Sequence, residues 1–550
     1  MAFSGALTLT DLNDYLGPSQ ACIKPVNAPA YEPTGETEIA IDNGGVYETG
    51  GARERTRLET AQISLNDCLA CSGCVTSAET VLIGKQSIDQ VVEALASSHS
   101  QMAFVATISP QSLASLAVRY SRPDGSHKAE LPLDVLLRRI SRALYAIGFD
   151  AVGDTTFARA LAIREHVLEF RERKRTGKGA IPMLAGSCPG WVLFAEKTQA
   201  ELLPFVATSK SPQQVAGLLA KLVVGKTLGR APGDVYHVTV MPCYDKKLEA
   251  SRPDNTLDGV PEVDCVLTTG ELHDLLWQHN FDPYTDEQAV TSVRATTSAH
   301  TELAFPTLIA QPGSSSGGYL FAVMHDVWQQ HPDAAIESRE IRSSDYTEYT
   351  LHVQEGEERR VVFKGAICYG FRNLQNLVRK VQRETGVRGR GGRAGRGLAR
   401  RVRGGAAAVD DVPYDHVEVM ACPGGCVNGG GQMRPPAGQH VEAKADATNA
   451  IADTGAAADA AAPAPGAAAA AADDSFGAPQ VGWQGTSREW VSLVDRAYWA
   501  DKTSGINTKA LADYAPGTLD LSAVDAELSG RMRTTYHGIQ PETNGLAVQW

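Results

Sequence analysis

Cysteine spacing marks where this chain could do chemistry. Cys422 and Cys426 stand four apart in Glu418-Val-Met-Ala-Cys-Pro-Gly-Gly-Cys-Val-Asn-Gly-Gly-Gly-Gln432, and Cys68, Cys71 and Cys74 form a C-x2-C-x2-C run. Thiolate is the soft metal ligand of proteins. Glycine lets main chain approach a bulky group and offer N–H donors. Gly424, Gly425, Gly429, Gly430 and Gly431 therefore suggest a large inorganic ligand held against backbone, which a disulfide would not require. The C-x2-C-x2-C spacing wraps three thiolates around an iron–sulfur cube, as in the bacterial ferredoxin run. No cysteine follows in the fourth ferredoxin position, and the nearest unassigned thiol is Cys22. Zinc is the alternative, but zinc sites usually draw on two separated C-x2-C pairs, and one of three close cysteines would stand idle.

Length and composition fit this chemistry. The chain has 550 residues, 43% of them hydrophobic, and a net charge of -13. That is enough for two or more domains with real cores, and the acidic balance argues against general nucleic-acid binding. No apolar run approaches the roughly 20 residues that span a bilayer. The first ten residues carry neither a basic region nor a cleavage signal, so the expected location is the cytosol, with the nucleus also open. In that reducing setting the ten cysteines are expected to be ligands, catalysts or core residues.

The elements that must position these cysteines follow a strand–helix alternation. Strands are expected at Gln101–Ser109, Phe149–Val152, Pro182–Ala185 and Asp234–Pro242. Helices are expected at Leu131–Ile147, from Asp154, and from Ser211 to Lys226. Alternating buried strands and helices indicate a parallel α/β sheet, which places ligands at the carboxyl ends of its strands. Cys188, in Gly186-Ser-Cys-Pro-Gly-Trp191, and Cys243, directly after Asp234–Pro242, both stand at such ends. Cys265 and Cys368 lie inside apolar strand-like runs and read as core. Cys188, Cys243, Cys422 and Cys426 then remain for one deep site, and four thiolates meet the requirement of a [4Fe–4S] cube.

The expected organisation is an N-terminal cluster region at 1–100, a first α/β lobe at 101–250 and a second at 251–435, with a basic glycine-rich insertion at 386–405. An Ala/Pro-rich linker at 436–485, read as disordered, and a helical segment and tail at 486–550 complete the chain. The Gly/Ser loop from Gln311 leads into a helix and suits either an anion at the helix N-terminus or a plain tight turn. The basic insertion reads better as a solvated segment than as an RNA contact, given the acidic chain. Trp550 ends the sequence with a large ring beside a carboxylate, which suits either peptide docking or packing on its own domain.

Three motifs carry a resemblance to the iron-only-hydrogenase-like family. They are Gly186-Ser-Cys-Pro-Gly-Trp191, Met241-Pro-Cys-Tyr-Asp-Lys-Lys-Leu-Glu249 and the Glu418–Gln432 stretch, supported by Ser209-Lys-Ser-Pro-Gln-Gln214 and Asp154-Thr-Thr-Phe157. Within that family, Ala61–Thr80, the early Cys22 and the terminal Trp550 look most like the cytosolic iron–sulfur protein assembly subgroup, related to nuclear prelamin A recognition factor-like proteins. The resemblance implies two α/β lobes around a buried cluster and a small N-terminal cluster domain. It implies two [4Fe–4S] clusters, one on Cys22, Cys68, Cys71 and Cys74 and one on Cys188, Cys243, Cys422 and Cys426. It also implies cluster relay from an upstream P-loop NTPase scaffold to a targeting complex with a WD-repeat protein, and on to apo iron–sulfur proteins, with Trp550 as a docking signal.

Two departures qualify the resemblance. Hydrogenases carry adjacent cysteines in the first motif, one of them a proton relay; here that place is Ser187, whose hydroxyl is a far poorer acid than a thiol. Lys246, Met241 and Met420 nevertheless match residues that line the diiron pocket of hydrogenases. Related delivery signals often have an acidic or serine residue before the last aromatic one, where this chain has Gln549. A non-enzymatic cluster carrier is therefore expected, with a hydrogenase-type redox enzyme and a nuclear lamina-binding adaptor as the competing readings.

Overall fold

The structure, a computed structural model, describes residues 83–98, 101–121, 131–177, 180–284, 305–341, 343–356, 358–387, 412–435, 488–499, 506, 508–513 and 522–538, with the backbone of 38–42, 45–49 and 55–57. Cys22, Cys68, Cys71, Cys74, Trp550, the linker 436–485 and residues 388–405 of the basic insertion lie outside the described residues.

Two sheets organise the rest. Strands β1 (Ala103–Ile108), β2 (Ala151–Asp154), β4 (Val235–Met241) and β5 (Cys265–Thr268) form a four-stranded sheet in the order β5-β4-β1-β2, every pair parallel. Strands β3 (Met183–Leu184), β6 (Ala335–Glu340), β7 (Tyr346–Glu355), β8 (Glu358–Tyr369) and β9 (His416–Met420) form a five-stranded sheet in the order β6-β7-β8-β9-β3. Its β8-β9 and β9-β3 pairs are parallel and its β6-β7-β8 edge is antiparallel. All four strands of the first sheet are almost wholly buried, as expected where helices cover both faces.

The sheets interleave in sequence. β3 comes from the expected first lobe yet pairs with β9, while β5 comes from the expected second lobe yet pairs with β4. Local apolar patterning marks a strand but not its partner, so a division of the chain near residue 250 does not separate the sheets. Cys265 and Cys368 are fully buried in β5 and β8, within two of the hydrophobic cores.

Helix α1 (Thr156–Thr176) carries a row of buried polar residues. Asp154 Oδ1 accepts the Thr156 N–H at 2.7 Å and starts the helix, and Gly177 ends it in the left-handed conformation. Arg159, His166, Glu169 and Arg173 recur at helical spacing on one buried face. His166 joins Ser209 Oγ at 3.0 Å and His416 of β9 at 2.7 Å. Arg173 pairs with Glu169 at 2.6 Å and also donates to the carbonyls of Ala180, Pro204, Phe205 and Val206.

Burial holds His166, His237 and His416 well below the ordinary histidine range; Arg173 adds to this for His166, Lys221 for His237, and His166 itself for His416. These rings stay neutral when folded, and each would bind a proton on unfolding below about pH 6.5. The unfolded chain then binds more protons, so stability rises with pH from the depressed folded values up to about 6.5 and is flat above. Each ring is expected to remove about 1.4 kcal/mol per pH unit as pH falls through that window. Urea unfolding at pH 7.5 and pH 5.5 checks this: a midpoint that does not fall at pH 5.5 would mean that the rings are already charged.

Candidate metal centre

Three loops at the ends of strands from both sheets meet. Cys188 follows β3 and caps helix α2 (Pro189–Thr198), with Pro189 favouring the first helical turn. Cys243 follows β4, and Cys422 and Cys426 follow β9, the latter in the short 3-10 turn Gly425–Asn428. All four are partly accessible, unlike Cys265 and Cys368. The four converge closely enough to sense one another: burial pushes the Cys243 thiol well up, Asp245 adds to this, and so do Cys422, Cys188 and Cys426. Burial also raises Cys188 and pushes Cys426 up to about 12.

Donors offset part of that cost. The Ala421 N–H donates to Cys188 Sγ at 3.4 Å, and the Trp191 N–H in the first turn of α2 also points at that sulfur. Ser316 Oγ accepts the Cys426 N–H at 2.9 Å, and its hydroxyl faces Cys426 Sγ. Lys246 favours the charged forms of both Cys188 and Cys426. Among the described residues, no three His, Cys, Asp or Glu side chains are grouped tightly enough for a single metal ion. Four thiols that converge from three loops, with N–H, O–H and cationic groups at Cys188 and Cys426, fit a [4Fe–4S] cube, whose ligands stand apart at its corners.

The glycines prove to be there mainly for protein neighbours. A Cβ on Gly429 would stand 2.2 Å from Pro242 O, one on Gly431 2.7 Å from the Thr268 side chain, and one on Gly425 2.1 Å from Ser316 Oγ. The Gly431 N–H donates to Pro242 O at 2.9 Å, pinning the Cys426 loop to the Cys243 loop. The expectation that these residues chiefly admit an inorganic ligand is thus revised: they let the cysteine loops pack on one another. Gly425 also has φ +79°. Gly425→Ala is expected to displace Ser316 or Cys426 and to lower bound iron, at roughly 1–2 kcal/mol for the conformation alone; iron analysis of the purified variant checks it, and wild-type iron would show that the loop yields freely.

The residues matched to a diiron pocket are engaged with the protein. Lys246 Nζ donates to Ser187 O at 3.1 Å and to Ser211 Oγ at 3.1 Å, and pairs with Glu249 at 2.6 Å. Gln213 donates to Lys246 O at 3.0 Å and accepts from Thr239. Met241 and Met420 are buried at the ends of β4 and β9, and Met420 Sδ lies 3.8 Å from Cys426 Sγ. Ser187 Oγ is buried beside the Tyr319 hydroxyl and makes no regular hydrogen bond among the described residues.

Both flanks of the chain return to this centre. Ile83, nine residues after Cys74, is buried against Leu248, Leu193 and Tyr244. Gln86 exchanges hydrogen bonds with Lys247 at 2.7–2.8 Å, fixing that segment to the Cys243 loop. At the other end, residues 532–534 pair with 208–210 through Lys210 N to Met532 O and Thr534 N to Thr208 O, both 2.8 Å. This strap sets Tyr536 over Gly186, and Tyr536, Leu193, Leu248, Ser211 and Glu249 line a cleft of about 410 Å³, open mouth included. Sequence reasoning missed the strap, because nothing in Arg531–Gly538 marks it as paired.

Comparison with known proteins agrees with this architecture. Among solved structures, an apo [FeFe]-hydrogenase from Chlamydomonas reinhardtii superimposes with a TM-score of 0.52 at 18% identity, covering 82% of this chain and 98% of that one, so the fold is hydrogenase-like. The family described as iron only hydrogenase large subunit, C-terminal domain, matches residues 102–430. A cytosolic Fe-S cluster assembly factor NAR1 from Mycosarcoma maydis is 41% identical over 92% of this chain and 84% of its own. A cytosolic iron-sulfur assembly component 3 from Rattus norvegicus is 40% identical over 100% of this chain and 99% of its own. The chain belongs to the iron-only-hydrogenase-like family of cytosolic iron–sulfur cluster assembly factors. No described helix is long and apolar enough to cross a membrane.

Proposed function

We propose that this protein acts in cytosolic iron–sulfur protein assembly as a cluster carrier and adaptor. One [4Fe–4S] cluster would be held by Cys188, Cys243, Cys422 and Cys426, the other by Cys22, Cys68, Cys71 and Cys74. The convergence of the four partly accessible thiols from three strand-end loops carries the reading of the first site. The clusters, when bound, supply redox and transferable iron and sulfide; the chain's own residues position thiolates and exclude water. The second site rests on its C-x2-C-x2-C spacing and on its tether. Nine residues from Cys74 to Ile83 span at most about 30 Å, so a cluster there would stay near the Cys243 loop.

A carrier benefits from one protected and one approachable site, and the two proposed clusters would fill those roles. The expected partners are an upstream P-loop NTPase scaffold, a targeting complex containing a WD-repeat protein, and apo iron–sulfur proteins. Trp550, twelve residues beyond Gly538, would be offered to the targeting complex on a tail that leaves the strap. The expected location is cytosolic, as the relatives' names indicate.

Hydrogenase-type turnover is the second reading, because the fold is shared. Ser187 in place of a relay thiol, and Lys246 drawn into Glu249, Ser211 and Ser187 O, speak against it. Depletion of the protein is expected to lower cytosolic iron–sulfur enzyme activities, and iron-loaded protein is expected to evolve no dihydrogen. Unchanged cytosolic enzymes on depletion would point instead to a structural adaptor, and appreciable dihydrogen turnover to an enzyme.

A further inference from the structure

The Gly/Ser loop does bind an anion, and the anion is internal. Glu418, in the middle of β9, is completely buried. Its carboxylate lies at the N-terminus of helix α3 (Tyr319–Gln330), where it accepts the Leu320 N–H at 2.9 Å. It also accepts the Tyr369 hydroxyl at 2.6 Å and the Ser314 hydroxyl. The Leu320 N–H donates, the two hydroxyls face the carboxylate, and Ser314 itself accepts the Gly318 N–H, a set of neighbours that suits an ionised carboxylate. The helix N-terminus favours a negative charge there. No lysine, arginine or histidine among the described residues forms an ion pair with this buried carboxylate.

That charge is built into the cluster site. Cys422 is the fourth residue after Glu418 along the same strand and loop. The loop that grips the carboxylate through Ser314 also holds the Cys426 N–H through Ser316. Tyr369 bridges the two, bonding to Glu418 and lying within reach of both serines.

We infer that Glu418 is a positioning residue whose fixed negative charge, seated on the α3 N-terminus, holds the buried cluster at low reduction potential and so in its oxidised state. The inference rests on the four-cysteine site proposed above. Adding an electron to a cluster beside an unpaired buried carboxylate adds like charge to like in a medium of low dielectric. Charge and hydrogen bonding around a cluster are the protein's means of setting its potential. A carrier benefits, because an oxidised cluster held this way does not take up electrons meant for other proteins.

The test compares Glu418→Gln and Glu418→Asp in the full-length, anaerobically purified protein, using iron and sulfide analysis and an EPR-monitored redox titration. Glu418→Gln keeps the shape and removes the charge; Glu418→Asp keeps the charge. The expected result is wild-type iron in both, a midpoint shifted to higher potential for Gln only, and a larger share of that cluster reduced by dithionite. Iron lost from the Gln variant alone, with wild-type iron and potential in the Asp variant, also supports a requirement for the charge. A Gln variant with full iron and an unchanged or lower midpoint overturns the inference, as does equal loss of iron from both variants, which would make Glu418 purely structural. Failure of the underlying site is separable: wild-type protein would then show no buried-cluster signal to titrate.

Discussion

Replacing Cys422 with alanine is expected to remove about half of the bound iron and to lower the thermal unfolding midpoint as well. The two losses share one cause. Cys422 and Cys426 extend from β9 in the five-stranded sheet, and Cys243 extends from β4 in the four-stranded one. A cluster ligated from both would cross-link the sheets, and metal affinity contributes directly to folding free energy. Without it, the burial that pushes Cys243 and Cys426 up leaves neutral thiols around a gap in the core. Cys68→Ala provides the contrast: it should lose iron with little change in midpoint, since none of its proposed partners, Cys22, Cys71 and Cys74, extends from a strand of either sheet. Calorimetry and iron analysis on both variants check this. A Cys422→Ala protein as stable as wild type would mean that the sheets need no cluster to hold them together.

Arg173→Met is expected to destabilise the protein by about 3–5 kcal/mol, the usual consequence of leaving one partner of a buried ion pair uncompensated. Few single residues here have more to lose. The guanidinium answers Glu169 and four backbone carbonyls, all where the chain from Ala180 to Val206 packs on α1. Glu169 in turn accepts the N–H groups of Thr208 and Ser209 at 2.9–3.0 Å, which orders the approach to Ser211 and Lys246. Against a total stability of about 5–15 kcal/mol, such a loss is large. Urea unfolding measures it, and a shift below about 1 kcal/mol would show that solvent replaces the guanidinium at little cost.

Much of this architecture is legible in the chain. Strands such as Val235–Met241 and His416–Met420 are short valine-rich runs that lead to the cysteines, so the site's position at strand ends follows from local pattern. Cys265 and Cys368 announce themselves as core by standing inside such runs. Three things were not legible. Pairing of β3 with β9 and of β5 with β4 is non-local, and no residue in Met183–Leu184 or Cys265–Thr268 encodes its neighbour. The polar row His166, Glu169 and Arg173 resembles a solvated helix face, because each residue finds its partner in a distant segment. Gly425 and Gly429 look like ligand-facing glycines until Ser316 and Pro242 are seen against them.

The most direct measurement is iron and acid-labile sulfide per chain in anaerobically purified protein, read with EPR after reduction. Two [4Fe–4S] clusters predict about eight of each, falling to about four when Cys188, Cys243, Cys422 or Cys426 is replaced. About four irons in the wild-type chain, or zinc in their place, would remove one of the two sites, and a Cys243→Ala variant that keeps all eight would contradict the assignment of the central site to these four cysteines.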